Sequence, residues 1–235
     1  MKKVLSLLLA VAMLLSVSLC FAGCENEDIR GTFATDPTTP TDNQTPNGDD
    51  PVTGQTPEFS MGTVTGRNYK NEFLGISCTL PAEWEIFTDA QILEMNNITS
   101  GYLDEDTKEL LKNANIVYDM YAQYLVDGSS ININMEKLNA LQLINLNIKQ
   151  VLESQIPTIK SSYENMGYTD VNVVYQKLTV DSKEFDSIRV TAKIQGYDFT
   201  LIVFSFLKGN YLANVSVGSL NTASIDAILG SITIQ

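Results

Sequence analysis

The sequence predicts an α+β fold for residues 61–235, built on a predominantly antiparallel β-sheet. Three observations carry that expectation. Apolar and polar side chains alternate with a period of two from Gly62 and again through most of the last seventy or so residues. Turn dipeptides, Asp127-Gly128 and Lys208-Gly209 among them, sit between such runs at hairpin spacing. One long helical pattern, Leu141 to Met166, separates the two groups of strands.

The residues ahead of this domain read as an address and a tether. Residues 1–23 open with Lys2-Lys3, continue as an apolar run from Val4 to Leu19, and end in small residues, the layout of a secretory signal peptide. The run is short and its far flank is acidic, so a permanent membrane span is the weaker reading. Phe21-Ala22-Gly23-Cys24 resembles the bacterial lipobox, in which cleavage precedes a cysteine carrying a diacylglyceryl thioether. The departure is Phe21, where leucine is usual; an apolar residue is kept. The resemblance implies lipidation of Cys24, with ordinary cleavage near Ala22 as the alternative. Stable anchoring needs two or three acyl chains, which lipoprotein processing supplies.

Residues 24–60 carry this cysteine and a stretch rich in Thr, Pro, Asp, Asn and Gly, too poor in large apolar side chains to offset chain entropy. They are expected to be a disordered spacer that holds the domain away from the bilayer.

Charge and composition exclude several function classes. The net charge is −13; loss of Lys2 and Lys3 with the signal leaves 28 acids against 13 bases, or −15. Such a surface repels nucleic acid backbones and anionic lipid alike. The absence of histidine removes the commonest general base, the Ser-His and Cys-His nucleophile systems and the most versatile metal ligand. No phosphate loop, dinucleotide fingerprint or Cys/His metal spacing is present, so no cofactor and no metal are expected. Of three cysteines, Cys20 leaves with the signal, Cys24 is committed to lipid and Cys78 stands alone, so no disulfide is expected.

Within the domain, Thr63 to Tyr69 and Phe73 to Leu80 read as strands around Asn71-Glu72. Ile76, Cys78 and Leu80 share an apolar face, and Pro81, which cannot donate to a ladder, ends the second strand. Cys78 is therefore expected to be a small buried hydrophobe. Trp84, the only tryptophan, reads as a plug for the core, with a ligand platform as the alternative.

The string Tyr69-x-Asn71-x-Phe73-x-Gly75-Ile76-x-Cys78-x-Leu80-Pro81-x-x-Trp84 resembles the opening of PsbP-like domains. That superfamily includes the photosystem extrinsic subunit, the Ran-binding Mog-type proteins and many bacterial lipoproteins. The resemblance covers about sixteen residues, and the element order that follows is compatible with it. It implies a sheet flanked by helices on both faces, an α/β/α sandwich, in a family used mainly for interaction.

After Trp84 a short helix capped by Asp89 is expected through Asn96, then a second opened by Asp104-Glu105-Asp106-Thr107-Lys108-Glu109. These acids read as complements to a helix N-terminal dipole; a cation site or an acid–base pair is the sharper alternative. Ile116 to Leu125 and Ser130 to Lys137 form a predicted hairpin. In its second arm Ile131, Ile133 and Met135 alternate with Asn132, Asn134 and Glu136, the mark of a sheet with one buried face. Its first arm places Tyr118, Tyr121 and Tyr124 in a tyrosine row, a candidate stacking platform for sugars, although strands favour tyrosine in any case. Leu141 to Met166 is expected as one helix kinked or split at Pro157. Four strands follow in a meander, then a helix from Thr222 and a strand-like tail.

The function expected is that of an extracytoplasmic lipoprotein anchored to the membrane through Cys24. It would be a non-catalytic binding or accessory module for an envelope protein or a small ligand. The alternatives are a hydrolase using paired carboxylates, such as Glu83 and Glu85 or the Asp104–Glu109 group, and a structural envelope spacer.

Overall fold

The computed structural model of the protein describes residues 58–98 and 105–235. The expected signal peptide, Cys24, the tether up to residue 57 and Asp104 lie outside the described residues.

The opening stretch does not join the main sheet. Strands β1 (Thr63–Thr65) and β2 (Asn68–Asn71) form a hairpin, so the single strand expected over Thr63–Tyr69 is broken at Gly66, whose φ of +63° suits a residue without a Cβ. Asn71 then turns the chain: its Oδ1 accepts from the Leu74 amide at 2.7 Å, and its carbonyl from Gly75 at 2.9 Å. Strand β3 (Ile76–Thr79) pairs with β2 and, on its other side, with β11 (Ile232–Ile234) at the far end of the chain. The result is a four-stranded sheet, β1-β2-β3-β11.

The larger sheet has seven antiparallel strands in the order β4-β5-β6-β10-β9-β8-β7. These are β4 (Glu85–Ile86), β5 (Ile116–Tyr124), β6 (Ser129–Lys137), β7 (Thr169–Val180), β8 (Lys183–Ile194), β9 (Tyr197–Lys208) and β10 (Tyr211–Ser219). The middle strand is β10, and every one of its residues is buried.

One hydrophobic core lies between the two sheets. Ile76 and Cys78 of β3 and Ile232 and Ile234 of β11 meet Ile131, Ile133, Val215, Val217 and Phe204 of the large sheet. Phe59, two residues before the expected domain start, packs against Phe73 and Tyr211 with ring centroids 5.7 and 5.1 Å away. Cys78 is buried, and burial pushes its thiol up to about 12, which keeps it protonated and inert.

A buried polar knot ties the sheets together. A bulge between Tyr118 and Met120 inserts Asp119 into β5. Its carboxylate accepts from the Tyr69 hydroxyl, from Asn71 Nδ2 at 2.8 Å and from the Gly62 amide at 2.7 Å. Tyr69 and Asn71 alternate on β2, so one face of that strand delivers both donors. Desolvation raises the Asp119 carboxyl, while the three hydrogen bonds pull it back down.

Helices lie on both faces of the large sheet, as the resemblance implies. Helix α1 (Asp89–Met95) packs at the β5 edge and is capped by Thr88 in a capping box with Gln91, one residue before the expected Asp89. Helix α2 spans Glu105–Asn113. The helix expected over Leu141–Met166 is two helices, α3 (Ala140–Ile144) and α4 (Ile148–Asn165). The break falls at 145–147, where Asn147 caps α4 through its side chain, because asparagine competes for backbone hydrogen bonds. Pro157 lies inside α4 without ending it. On α4, Leu152, Ile159 and Tyr163 fall near one face at helical spacing and are buried, whereas Ile144 on α3 is 79% exposed. Helix α4 covers β7 and β8, with Tyr163 and Tyr168 around Phe199. Helix α5 (Thr222–Ser231) packs on the opposite face through Ile225 and Ile228.

Candidate functional site

Strand β6 decides where the site is. Its odd-numbered residues Ile131, Ile133 and Met135 enter the core, as their pattern predicts. Its even-numbered residues Asn132, Asn134 and Glu136 were expected in water, but they are 3%, 1% and 7% exposed. Both faces of this strand are buried, one of them polar.

Antiparallel register extends that polarity into a grid, because residues directly opposite one another share a face. Asn134 stands between Tyr118 of β5 and Asn214 of β10; beyond Asn214 come Ser205 of β9, Asp186 of β8 and Lys177 of β7. This is one polar row across six strands, about 24 Å at the usual strand spacing. Its members bond along the row. Ser205 Oγ donates to Asn214 Oδ1 at 2.7 Å, Asn214 Nδ2 donates to Asn134 Oδ1 at 3.1 Å, and Lys177 Nζ lies 3.0 Å from Asp186 Oδ1.

On either side of this satisfied row stands an unsatisfied group. Asn132, flanked in register by Tyr121 and Ser216, has neither its Nδ2 nor its Oδ1 paired. Glu136, flanked by Ile116 and Leu212, has its Oε2 unpaired. Burial among those apolar neighbours pushes its carboxyl up to about 7. A buried polar atom without a partner costs about 1–3 kcal/mol, and an aliphatic residue here would avoid the cost. Helix α4 packs on the β7–β8 part of this face.

The sequence-predicted site residues are dispersed relative to this grid. The bulge at Asp119 shifts the alternation, so Tyr118 and Tyr121 share the face of Asn134 and Asn132, while Tyr124 pairs with Ser129 and points the other way. The three tyrosines therefore form no single row: residues three apart alternate sides in a regular strand, and the bulge brings Tyr121 round to the side of Tyr118 while Tyr124, three beyond Tyr121, faces away. Tyr118 is half-buried and Tyr121 buried, its ring 4.6 Å from Phe87. Tyr124 stacks on Trp84 with centroids 6.4 Å apart, and Trp84 itself is half-buried against the core.

The candidate carboxylates do not converge. Glu83 is exposed, and Glu85 accepts from Gln123 Nε2 at 2.9 Å. On α2, Glu105 pairs with Lys108 at 2.7 Å and Glu109 accepts from Asn113. Among the described residues, no group of three or more acids, cysteines or histidines is placed to hold a metal ion. The cavity beside Asp119, between Gly62, Phe87 and Ile92, is about 20 Å³, room for roughly one water. A more open cleft of about 610 Å³ beside Phe59 is lined by Glu58, Glu105, Lys108 and Lys112, whose charges pair with one another.

No family model matches the sequence, and no curated protein matches it either. Among solved structures the chain is similar to a Bacteroides thetaiotaomicron protein, with 10% identity and a TM-score of 0.37 over 73% of this chain and 49% of the other. The chain thus spans about half the length of that protein. It is also similar to LpqN, a Mycobacterium tuberculosis protein involved in cell envelope biogenesis. There the identity is 10% and the TM-score 0.39, over 68% of this chain and 83% of the other. At these scores neither likeness carries an argument about function. The PsbP-like resemblance rests on residues 69–84 and the element order alone.

Proposed function

We propose that the protein is an extracytoplasmic lipoprotein, tethered to the membrane through Cys24, whose domain is a non-catalytic binding or accessory module. Its partner is an envelope protein or a small ligand. The observation that carries the reading is Phe21-Ala22-Gly23-Cys24 followed by some thirty-five residues of tether composition before a packed domain. No helix among the described residues is long and apolar enough to cross a membrane, so the lipid supplies the attachment in this reading. The acidic surface keeps the domain off anionic lipid, and the spacer gives it reach.

The test is metabolic labelling with radioactive palmitate, combined with detergent phase partitioning. The wild type is expected to carry label and enter the detergent phase, and Cys24→Ala to lose both. An unlabelled wild type whose N-terminus begins just after Ala22 would defeat the reading.

A further inference from the structure

Three of the four sheet edges are too short to template a further strand: β1, β4 and β11 end their sheets with two or three residues each. The fourth edge is β7, twelve residues or about 40 Å at strand rise. A long open edge invites another strand, and proteins usually blunt it with charges, prolines or bulges. Here the bulge sits at one end, between Thr169 and Asn172, and Lys177 is turned back onto β8, 3.0 Å from Asp186.

The hairpin turn fixes which groups of β7 are open. Asp181 and Ser182, with φ of +49° and +61°, make a two-residue loop, so Val180 and Lys183 form the hydrogen-bonded pair that closes it. Alternation from Val180 turns the backbone of Val174, Gln176 and Leu178 toward β8, and that of Val173, Tyr175 and Lys177 outward. Among the described residues, no backbone group bonds those outward amides and carbonyls.

Helix α4 lies over this edge. Its side toward the sheet interior is half-buried at Ile148, Val151, Gln155 and Ser162. Its outer side carries Lys149, Glu153, Lys160 and Glu164, all exposed, with Ile156 half-buried among them, five residues within about 80° of the helix. Lys149 and Glu164 are symmetric about the Ile156-Pro157 bond, and so are Glu153 and Lys160. A two-fold axis there sets each lysine of one copy against a glutamate of the other. Lys149 Nζ stands 5.2 Å over the Tyr175 ring, and the midpoint of the stripe lies about 11 Å further along the helix, above the Val171–Val174 part of β7.

The same axis, normal to the sheet, pairs β7 with its copy antiparallel about Val174. Val174, 39% exposed, then meets its own copy on one face and Ile156 meets its copy on the other, while Asn172 stands opposite Gln176 and no like charges are opposed. Because α4 packs on β7 and β8 together, its axis lies inside the edge, which leaves the two copies of α4 up to about 10 Å apart, the spacing at which helices pack. An extended peptide would satisfy the strand but leave the symmetric charges unmatched, so a second copy is the better fit.

We propose that the outer edge of β7 and the Lys149–Glu164 flank of α4 form a two-fold interface with a second copy of this chain.

Sedimentation equilibrium of the purified full-length protein in a density-matched detergent is expected to show a monomer–dimer equilibrium. The double variants Glu153→Lys/Glu164→Lys and Lys149→Glu/Lys160→Glu each leave the stripe with one sign of charge. Each alone is expected to dimerise roughly tenfold more weakly or worse, and an equimolar mixture of the two to recover wild-type association as a heterodimer. Neither removes a buried side chain, so both should keep an unfolding midpoint near that of the wild type. Val174→Cys is expected to link two copies through a short bis-maleimide, whereas Val126→Cys, 81% exposed in the β5–β6 turn on the far side of the sheet, is not.

Four results would each overturn the proposal: a monomer at millimolar concentration, a mixture that associates no better than either variant alone, equal linking at Val126, or a monomer that instead takes up an unrelated peptide along β7. The interface does not rest on the lipid anchor, so loss of palmitate labelling with the dimer retained would defeat the anchoring and leave this surface standing.

Discussion

Replacing Asp119 with alanine tests whether the opening stretch is held by its polar knot. The carboxylate is 5% exposed and serves three donors: the Tyr69 hydroxyl, Asn71 Nδ2 and the Gly62 amide. Asp119→Ala leaves all three without that acceptor, at about 1–3 kcal/mol each if none finds a substitute. Two effects reduce the total. The cost of burying the carboxyl disappears, and the adjoining cavity, about 20 Å³, admits one water to part of the vacated site. We expect a net loss of about 3–5 kcal/mol, the usual range for removing one partner of a buried charged group. That is a large share of the ~5–15 kcal/mol by which domains are stable.

Tyr69→Phe removes one donor and should cost about 1.5–3 kcal/mol, as for a hydrogen bond to a charged group. The double variant should cost less than the two single losses added together, because the shared bond is lost only once. Urea unfolding followed through the lone Trp84, which stacks on Tyr124, reads all four proteins. The reasoning has a pH arm as well. Burial raises the Asp119 carboxyl, so the native state holds its proton more tightly than the unfolded state. Its contribution to stability therefore falls as pH climbs above about 3.9, and the alanine variant lacks that slope. A loss under about 1 kcal/mol for Asp119→Ala, or strict additivity with Tyr69→Phe, would refute the knot.

Two further outcomes follow from the same structure. Glu136, raised from 4.5 to about 7, binds its proton more tightly in the native state, so its contribution to stability is greatest below pH 4.5 and declines toward pH 7. Thermal melts of Glu136→Gln should lack that decline, and an unchanged profile would show that the carboxyl titrates normally. Cys78 should resist a thiol reagent at pH 8 until urea unfolds the domain, since its thiol is buried and pushed to about 12. Reaction at the rate of a free cysteine in the native protein would contradict that burial.

How far the sequence alone reads depends on the range of the forces involved. Local chemistry was legible. The Asp127-Gly128 turn, the stop at Pro81 and the inward faces of β3 and β6 are dictated by neighbours a few residues away, and the structure places them accordingly. The resemblance of Phe21-Ala22-Gly23-Cys24 to a lipobox and the composition of residues 24–60 are likewise properties of the chain itself.

The tertiary structure decided what depends on partners distant in sequence. Alternation in Asn132, Asn134 and Glu136 looks the same whether the polar face meets water or protein, so nothing local shows that these residues are buried. A bulge is a relation between two strands, and that one inserted residue put Tyr121 on the side of Tyr118 and Tyr124 on the other. No periodicity marks Asp119 as the residue that Tyr69 and Asn71 share, some fifty positions apart. The sequence determined the strands and their apolar sides because side-chain period is a local property. Which polar groups gather on one surface was decided by register and burial, which only the assembled sheet contains.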